Sequence, residues 1–240
     1  MIDAPELILQ YVVSPIFMRG AATTLLITIV SMALGVVVGL IIALLQQVRM
    51  KPMRFLVTAY LWLFRGTPVL FQLIFVFYVL PGFGIMLSGF TSGVLALSLN
   101  EGAYTAEIFR SGLQAVGRGQ RTAGRSLGMR EWQVMRYVVL PQAMRVVIPP
   151  LGNQFIGMLK LSALVSTIAV QDLLLVANQT ASANFRYFEA LSAAGIYYLA
   201  MTTVFMIIQF QIERWAGRRS RTTSWTQRLL GMTADATRIR

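Results

Sequence analysis

"RTAGRSLGMREWQVMRYVVLP", Arg121 to Pro141, is the stretch on which the fold turns. It holds Arg121, Arg125, Arg130 and Arg136, with Gly128 near its middle and Pro141 at its end. Beyond Gly128, Trp132, Met135, Val138 and Val139 recur at three- and four-residue spacing, which gives one apolar helical face. Before it, Arg121–Leu127 has room for about two helical turns. The pattern predicts two short helices around a glycine turn, with Pro141 ending or redirecting the second. Taken alone, it fits an amphipathic anchor lying on a lipid surface as well as it fits a docking element. The flanking sequence decides what the stretch is attached to.

The chain has 240 residues, 56% hydrophobic and 12% charged. A soluble domain carries about a quarter charged residues, so the deficit points to lipid as the solvent. Spanning the hydrocarbon layer takes roughly 20 apolar residues. Residues 21–45, 55–80, 91–108, 146–168 and 191–212 approach or exceed that, which predicts an all-α membrane protein with five transmembrane helices. The first run is too long for the core of a signal peptide and is expected to stay in the mature protein. All but four of the 21 Lys and Arg fall on one set of connections, the exceptions being Arg19, Arg186, Arg65 and Lys160. The side with the basic excess is cytoplasmic by the positive-inside rule. The N-terminus is then outside and the C-terminus inside. Residues 1–19 form an external segment, 20–212 the membrane domain, and 213–240 a basic cytoplasmic tail. The loop with Gly128, about residues 112–141, lies between spans three and four on the cytoplasmic side. The +12 net charge is thus a topology signal and an attraction to anionic lipid, and no nucleic acid is expected as a partner. With no cysteine and no histidine, disulfides are excluded, no metal site is expected, and the commonest catalytic base is missing.

Polar groups inside the spans mark the candidate pathway, since an intramembrane charge is costly and is kept for function or pairing. Arg65 falls near the middle of the second run, beside a break at Gly66 and Pro68 where freed backbone groups suit a cavity wall. Its guanidinium can hold a carboxylate bidentately, or it can pair with Glu101 or Glu107 of span three. Thr67 and Gln72 can add hydrogen bonds. Span four contributes Asn153, Gln154, Leu161 and Ser162, with Gln154 and Leu161 seven residues apart and so on one face. Gln154 serves equally as helix-to-helix glue. Lys160 is placed at the external mouth or against Asp172. Gly35 and Gly39 have the small-xxx-small spacing that lets helices approach closely. Gln171–Ala190 reads as an external loop.

The loop resembles the EAA loop of bacterial ABC-importer permeases, whose pattern sets Glu-Ala-Ala, three residues, a glycine, nine variable residues and Ile-x-Leu-Pro. Here Thr122-Ala123-Gly124, Gly128 and Val138-Val139-Leu140-Pro141 stand in those places, so the glutamate and second alanine are absent. "FRGTPVLFQLIFVFY", "EGAYTAEIFRSGLQAV", "GQRTAGRSLGM", "VLPQAMRVVIPPLGNQF" and "LKLSALVSTIAV" look like the polar amino-acid branch of that family, over about residues 20–212. The resemblance implies a type-1 permease subunit of the bacterial cytoplasmic (inner) membrane, importing a polar amino acid or a close analogue by alternating access. It further implies an ATPase dimer that carries ATP and Mg2+, an external solute-binding protein, and a second permease chain, identical or different. The first short helix of the loop would dock on the ATPase. Gly128 would make the turn, Leu127 and Met129 apolar contacts, and Arg121, Arg125 and Arg130 ion pairs. No GxxxxGK[ST] motif is present, so no P-loop hydrolysis is expected of this chain and it needs no cofactor of its own. In family members that take basic amino acids, acids can occupy the positions of Gln154 and Leu161. An amide and a hydrocarbon here imply a neutral side chain. The rivals are an intramembrane enzyme, which lacks its usual groups, and a secondary transporter, which usually needs more spans or an inverted repeat.

Overall fold

The computed structural model describes residues 4–48 and 50–215, which are all-helical with no strand. A short helix α1 (Ala4–Val12) leads into α2 (Pro15–Leu45), with Pro15 in the first turn, where its missing N–H is not needed. The first long helix therefore begins before residue 21, and the expected external segment is mostly helical.

The second apolar run is not one rod. Helix α3 (Lys51–Gly66) and the helical stretch Val69–Phe83, which begins as α4 (Val69–Ile74), meet at 106°. Thr67 and Pro68 are extended at the corner, with ψ 148° and 140°. Proline disfavours helix in the residue before it, which fixes the break where Gly66 already weakens the helix. At 16 residues, α3 reaches only about 24 Å.

Helix α5 (Gly89–Ala115) starts at a serine cap, Ser88 Oγ accepting from Thr91 N–H at 3.1 Å. It lies along α2 in the most extensive helix pairing of the fold. The small-xxx-small expectation is met at that contact. A Cβ on Gly35 would come within 2.7 Å of Glu101, and one on Gly39 within 2.7 Å of the Thr105 side chain. Two more corrections follow. A single rod runs from Glu131 to Ile168: α7 (Glu131–Gln133), a π turn (Val134–Val139), α8 (Leu140–Leu161) and a 3-10 segment (Ser162–Ile168). Pro141 does not end the helix, because it sits in the first turn of α8, after the widened π turn. Gln171–Ala190 is not a loop. It holds α9 (Leu173–Asn184), capped by Asp172, whose carboxylate accepts from Leu174 N–H at 3.2 Å and Leu175 N–H at 2.9 Å. Phe185, left-handed at φ 55°, ends it before α10 (Tyr187–Trp215).

Two of these helices, Pro15–Leu45 and Tyr187–Arg214, are each long and apolar enough to cross a membrane, and the two bent pairs raise that to at most four. Helix α5 has the length but mixes in Ser92, Ser98, Asn100, Glu101 and Thr105, all buried against neighbours. The core has one cluster of Phe17, Leu159, Leu173 and Val176 and a central one of Ile27, Leu73, Leu97, Met158 and Val165. A third, of Val116, Val134, Val139 and Ala143, ties the end of α5 to the start of the long rod. Trp132 is not part of that packed face; the π turn brings Val134 inward instead and leaves Trp132 58% exposed. The basic tail beyond Trp215 and the charge at residue 49 lie outside the described residues.

Candidate functional site

The corner at Thr67–Pro68 leaves helix carbonyls without intrahelical partners, and three side chains answer them. Thr67 Oγ1 donates to Leu63 O at 2.8 Å. The Gln72 amide donates to Phe64 O at 3.0 Å and to Thr67 Oγ1 at 2.8 Å. Asn100, on α5, donates to Phe64 O and to Gln72 Oε1, both at 3.0 Å. Asn100, like Tyr104 on the cavity wall, was missed by sequence reasoning. Its signal was an amide inside an apolar run, next to Glu101. Thr67 and Gln72 thus hold the corner in shape, and Gln72 is only 7% exposed.

The corner points Arg65 into an open space. A cavity of about 460 Å³ is walled by Thr58, Trp62, Arg65, Gly66 and Tyr104. A second, about 450 Å³, shares Tyr104 and continues along Glu107, Ser111, Pro150, Asn153 and Gln154. The Arg65 guanidinium carbon sits 5.9 Å from the centre of the Tyr104 ring, within cation–π range. Its Nη1 is 3.9 Å from Glu107 Oε2, at the outer limit of an ion pair. Glu107 has a better partner in Arg110, which donates from Nη2 at 2.6 Å and from Nε at 3.1 Å. Of the two acids, then, Glu107 and not Glu101 lies beside Arg65, whose guanidinium donates no hydrogen bond among the described residues.

Glu101 is buried at 2% exposure behind the wall. It accepts from Thr105 Oγ1 at 2.9 Å and from Gln154 Nε2 at 3.2 and 3.3 Å. Gln154 therefore covers a buried carboxylate on the cavity side. Asn153 is exposed and accepts from Gln209 Nε2 at 3.1 Å. The structure does not bring Leu161 and Ser162 to this wall. Leu161 packs on the central core, and Ser162 is buried, donating to Leu159 O at 2.8 Å. Lys160 is not paired with Asp172, which caps α9; it lines a separate cavity with Asn153, Gln209 and Glu213.

The loop around Gly128 has its own geometry. Helix α6 (Arg118–Ser126) ends in two reverse hydrogen bonds, Gly128 N–H to Arg125 O at 2.9 Å and Met129 N–H to Gly124 O at 3.2 Å. This is a Schellman turn, and Gly128 takes the left-handed conformation it requires, φ 77°. Leu127 is 82% exposed at the tip. Met129 packs on the third core cluster instead. Arg125 is engaged within the chain, Nη2 donating to Glu131 Oε2 at 3.1 Å, and Arg121 Nη2 ties α6 to Leu113 O at 3.2 Å. Arg130 is exposed, and its backbone N–H is capped by Gln133 Oε1 at 2.8 Å.

A family model described as "Binding-protein-dependent transport system inner membrane component" matches residues 35–218. The chain belongs to that family. It is therefore a permease subunit of an ABC importer, an inner membrane component and not an enzyme, and the ATPase of such systems is a separate subunit. The secondary-transporter and enzyme readings are set aside. Curated relatives include the L-cystine transport system permease protein of Bacillus subtilis, 38% identical over 83% of this chain and 86% of its own length. The glutamine transport system permease protein of Escherichia coli is 35% identical over 83% and 92%. The arginine transport system permease protein of Corynebacterium glutamicum is 38% identical over 90% and 73%. Among solved structures, an amino acid ABC transporter crystallised with histidines matches with TM-score 0.79 and 43% identity, over 83% of this chain and 94% of that one. The methionine ABC transporter MetNI shares the fold, with TM-score 0.72 at 20% identity over 85% and 97%.

Proposed function

We propose that this permease carries a polar amino acid past the corner at Thr67–Pro68, with its α-carboxylate on Arg65 and its side chain against Gln154. The observation that carries the reading is Arg65: a guanidinium half-exposed on a cavity wall inside an apolar segment, with its nearest acid already held by Arg110. Relatives whose names refer to glutamine, arginine and L-cystine support the amino-acid class. A bidentate carboxylate completes the donors that Glu107 leaves free. Gln154 offers an amide to a neutral side chain. A cationic side chain would have to displace that amide from Glu101 first. Asn153 borders the same cavity; Thr67 and Gln72 act on it by fixing the corner, and Leu161 and Ser162 support α8 from behind.

Five crossings, with the bent α3–α4 pair counted as one and α5 as another, put Met1 outside and Arg240 in the cytoplasm. The cavities are open on one flank, and a second permease chain, identical or different, closes them about a two-fold axis. On the cytoplasmic face α6 and the Gly128 turn correspond to the EAA loop and dock on an ATPase dimer, which carries ATP and Mg2+. Leu127 is the apolar contact and Arg130 an exposed charge, while Arg121, Arg125 and Met129 keep the element rigid. The third core cluster then carries its movement into α5 and α8, turning ATP-driven closure into alternating access. An external solute-binding protein delivers the substrate.

The test is binding of labelled substrate to the permease–ATPase complex without the solute-binding protein, competed with amino acids and with their carboxamides. Hydrogen bonds to a charged group are worth about 1.5–3 kcal/mol, so Arg65→Ala should weaken competition by roughly 10- to 150-fold. The variant should also lose the preference for acid over carboxamide. An Arg65→Ala complex that keeps that preference would overturn the reading.

A further inference from the structure

We infer that the cytoplasmic ends of α2 and α5 and the start of α6 form a binding site for the headgroup of an anionic phospholipid. A cavity of about 490 Å³, separate from the two described above, is lined there by Gln46, Gln47, Arg110, Gln114, Arg118 and Arg121. Among the described residues the acid beside it is Glu107, which accepts from Arg110 Nε and Nη2 and from the lining Gln46 Nε2 at 3.4 Å. Arg110 Nη1 donates to Gln114 Oε1 at 3.1 Å, which leaves the Gln114 amide hydrogens free. Arg121 uses one nitrogen, Nη2, on Leu113 O. Arg118 is exposed and makes no ion pair among the described residues. Two guanidiniums, Arg118 and Arg121, therefore face the cavity with donors to spare and, among the described residues, no carboxylate paired to them. The N-terminus of α6 adds to them, since Gly117 offers no side-chain cap to its first amides.

This combination selects an anion with several acceptor oxygens, which is a phosphate. A lipid is favoured over a soluble phosphate by what continues from the cavity. On α2, Leu40, Ile41 and Leu44 are 45%, 51% and 55% exposed, a strip on which acyl chains can lie. Basic pockets between helices at the cytoplasmic surface bind such headgroups. The placement in that leaflet rests on the topology proposed above. Since Arg118 and Arg121 belong to α6, an occupied site steadies the base of the docking helix. Activity then depends on the anionic fraction of the membrane.

The assembled complex, ATPase included, is placed in nanodiscs of equimolar phosphatidylglycerol and phosphatidylcholine, and retained lipid is counted by native mass spectrometry. We expect phosphatidylglycerol to be retained over phosphatidylcholine. A basic residue near an anionic surface is worth about fivefold, so Arg118→Ala should lower that preference about fivefold and Arg118→Lys should keep most of it. Arg19→Ala, at the far end of α2, should not change it. Equal retention of the two lipids, or an unchanged preference in Arg118→Ala, overturns the site. Release of the lipid by millimolar inorganic phosphate overturns the choice of lipid. The topology is read separately: the chain has no cysteine, so Gln114→Cys is labelled by an impermeant maleimide from one side only. Labelling from outside refutes the topology and leaves the retention result readable.

Discussion

Replacing Gly128 by valine separates backbone conformation from packing. The glycine sits at φ 77°, and a Cβ built on it meets no atom within 4 Å. The Cβ meets no clash within the chain, so the penalty there is conformational. A left-handed backbone costs an ordinary L-residue about 1–2 kcal/mol, and a β-branched one up to about 3 kcal/mol. Those figures shift the equilibrium away from the native turn by roughly 5- to 150-fold. The alternative turn gives up the hydrogen bonds to Arg125 O and Gly124 O and swings Leu127 away from its place at the tip. Asparagine tolerates the left-handed region better, so the expected order of function is Gly, Asn, Ala, Val. Gly119→Ala is the control, since Gly119 lies within α6, the helix that the Gly128 turn closes, with open space and no positive φ. The assay is substrate imported per ATP hydrolysed by the reconstituted complex, together with the ATPase retained on the purified permease. Valine should lower both while membrane insertion stays normal. A Gly128→Val complex with full coupling would refute the reasoning, and so would an Asn variant as damaged as Val, which would assign the loss to bulk.

Gly39→Val should lower the melting temperature of the detergent-solubilised protein, because its side chain meets Thr105 within 2.7 Å and the Ala106 backbone nitrogen within 2.9 Å. An unchanged melting temperature would mean that α2 and α5 do not pack this tightly. Asn100→Leu leaves Gln72 Oε1 without its donor in a buried setting, a loss of about 1–3 kcal/mol. It should reduce uptake together with thermal stability, and a stable variant with normal uptake would remove Asn100 from the corner. Single cysteines at Gly82 and Gly117 should be labelled from opposite sides, outside and inside; a shared side would break the five-crossing topology.

Much of this was legible because each signal had a local physical cause. The Gly66–Pro68 break follows from what proline does to the residue before it, and the Gly128 turn from a glycine closing a short helix. The tight α2–α5 contact follows from two glycines four apart. Other features lay beyond a local reading. Helix α9 buries Val176, Ala177 and Ala181, but Asn178, Gln179 and Thr180 between them and Ser182 after them dilute the apolar signal to that of a loop. The π turn before Pro141 shifts the register, so the inward face is Val134, Val139 and Ala143 instead of one that includes Trp132. Arg65 could be read as charged and intramembrane, but its choice of neighbour could not. Glu101 and Glu107 are six residues apart on α5, and only packing decides that one is buried behind Gln154 while the other meets Arg110.

The central claim, an α-carboxylate held by Arg65 at the corner, is tested most directly by a structure of the assembled complex with substrate bound. The account predicts density in the two cavities that share Tyr104, with a carboxylate within about 3 Å of the Arg65 guanidinium, as charge-assisted hydrogen bonds require, and a side chain reaching Gln154. Substrate density elsewhere, with Arg65 closed onto Glu107, would contradict it.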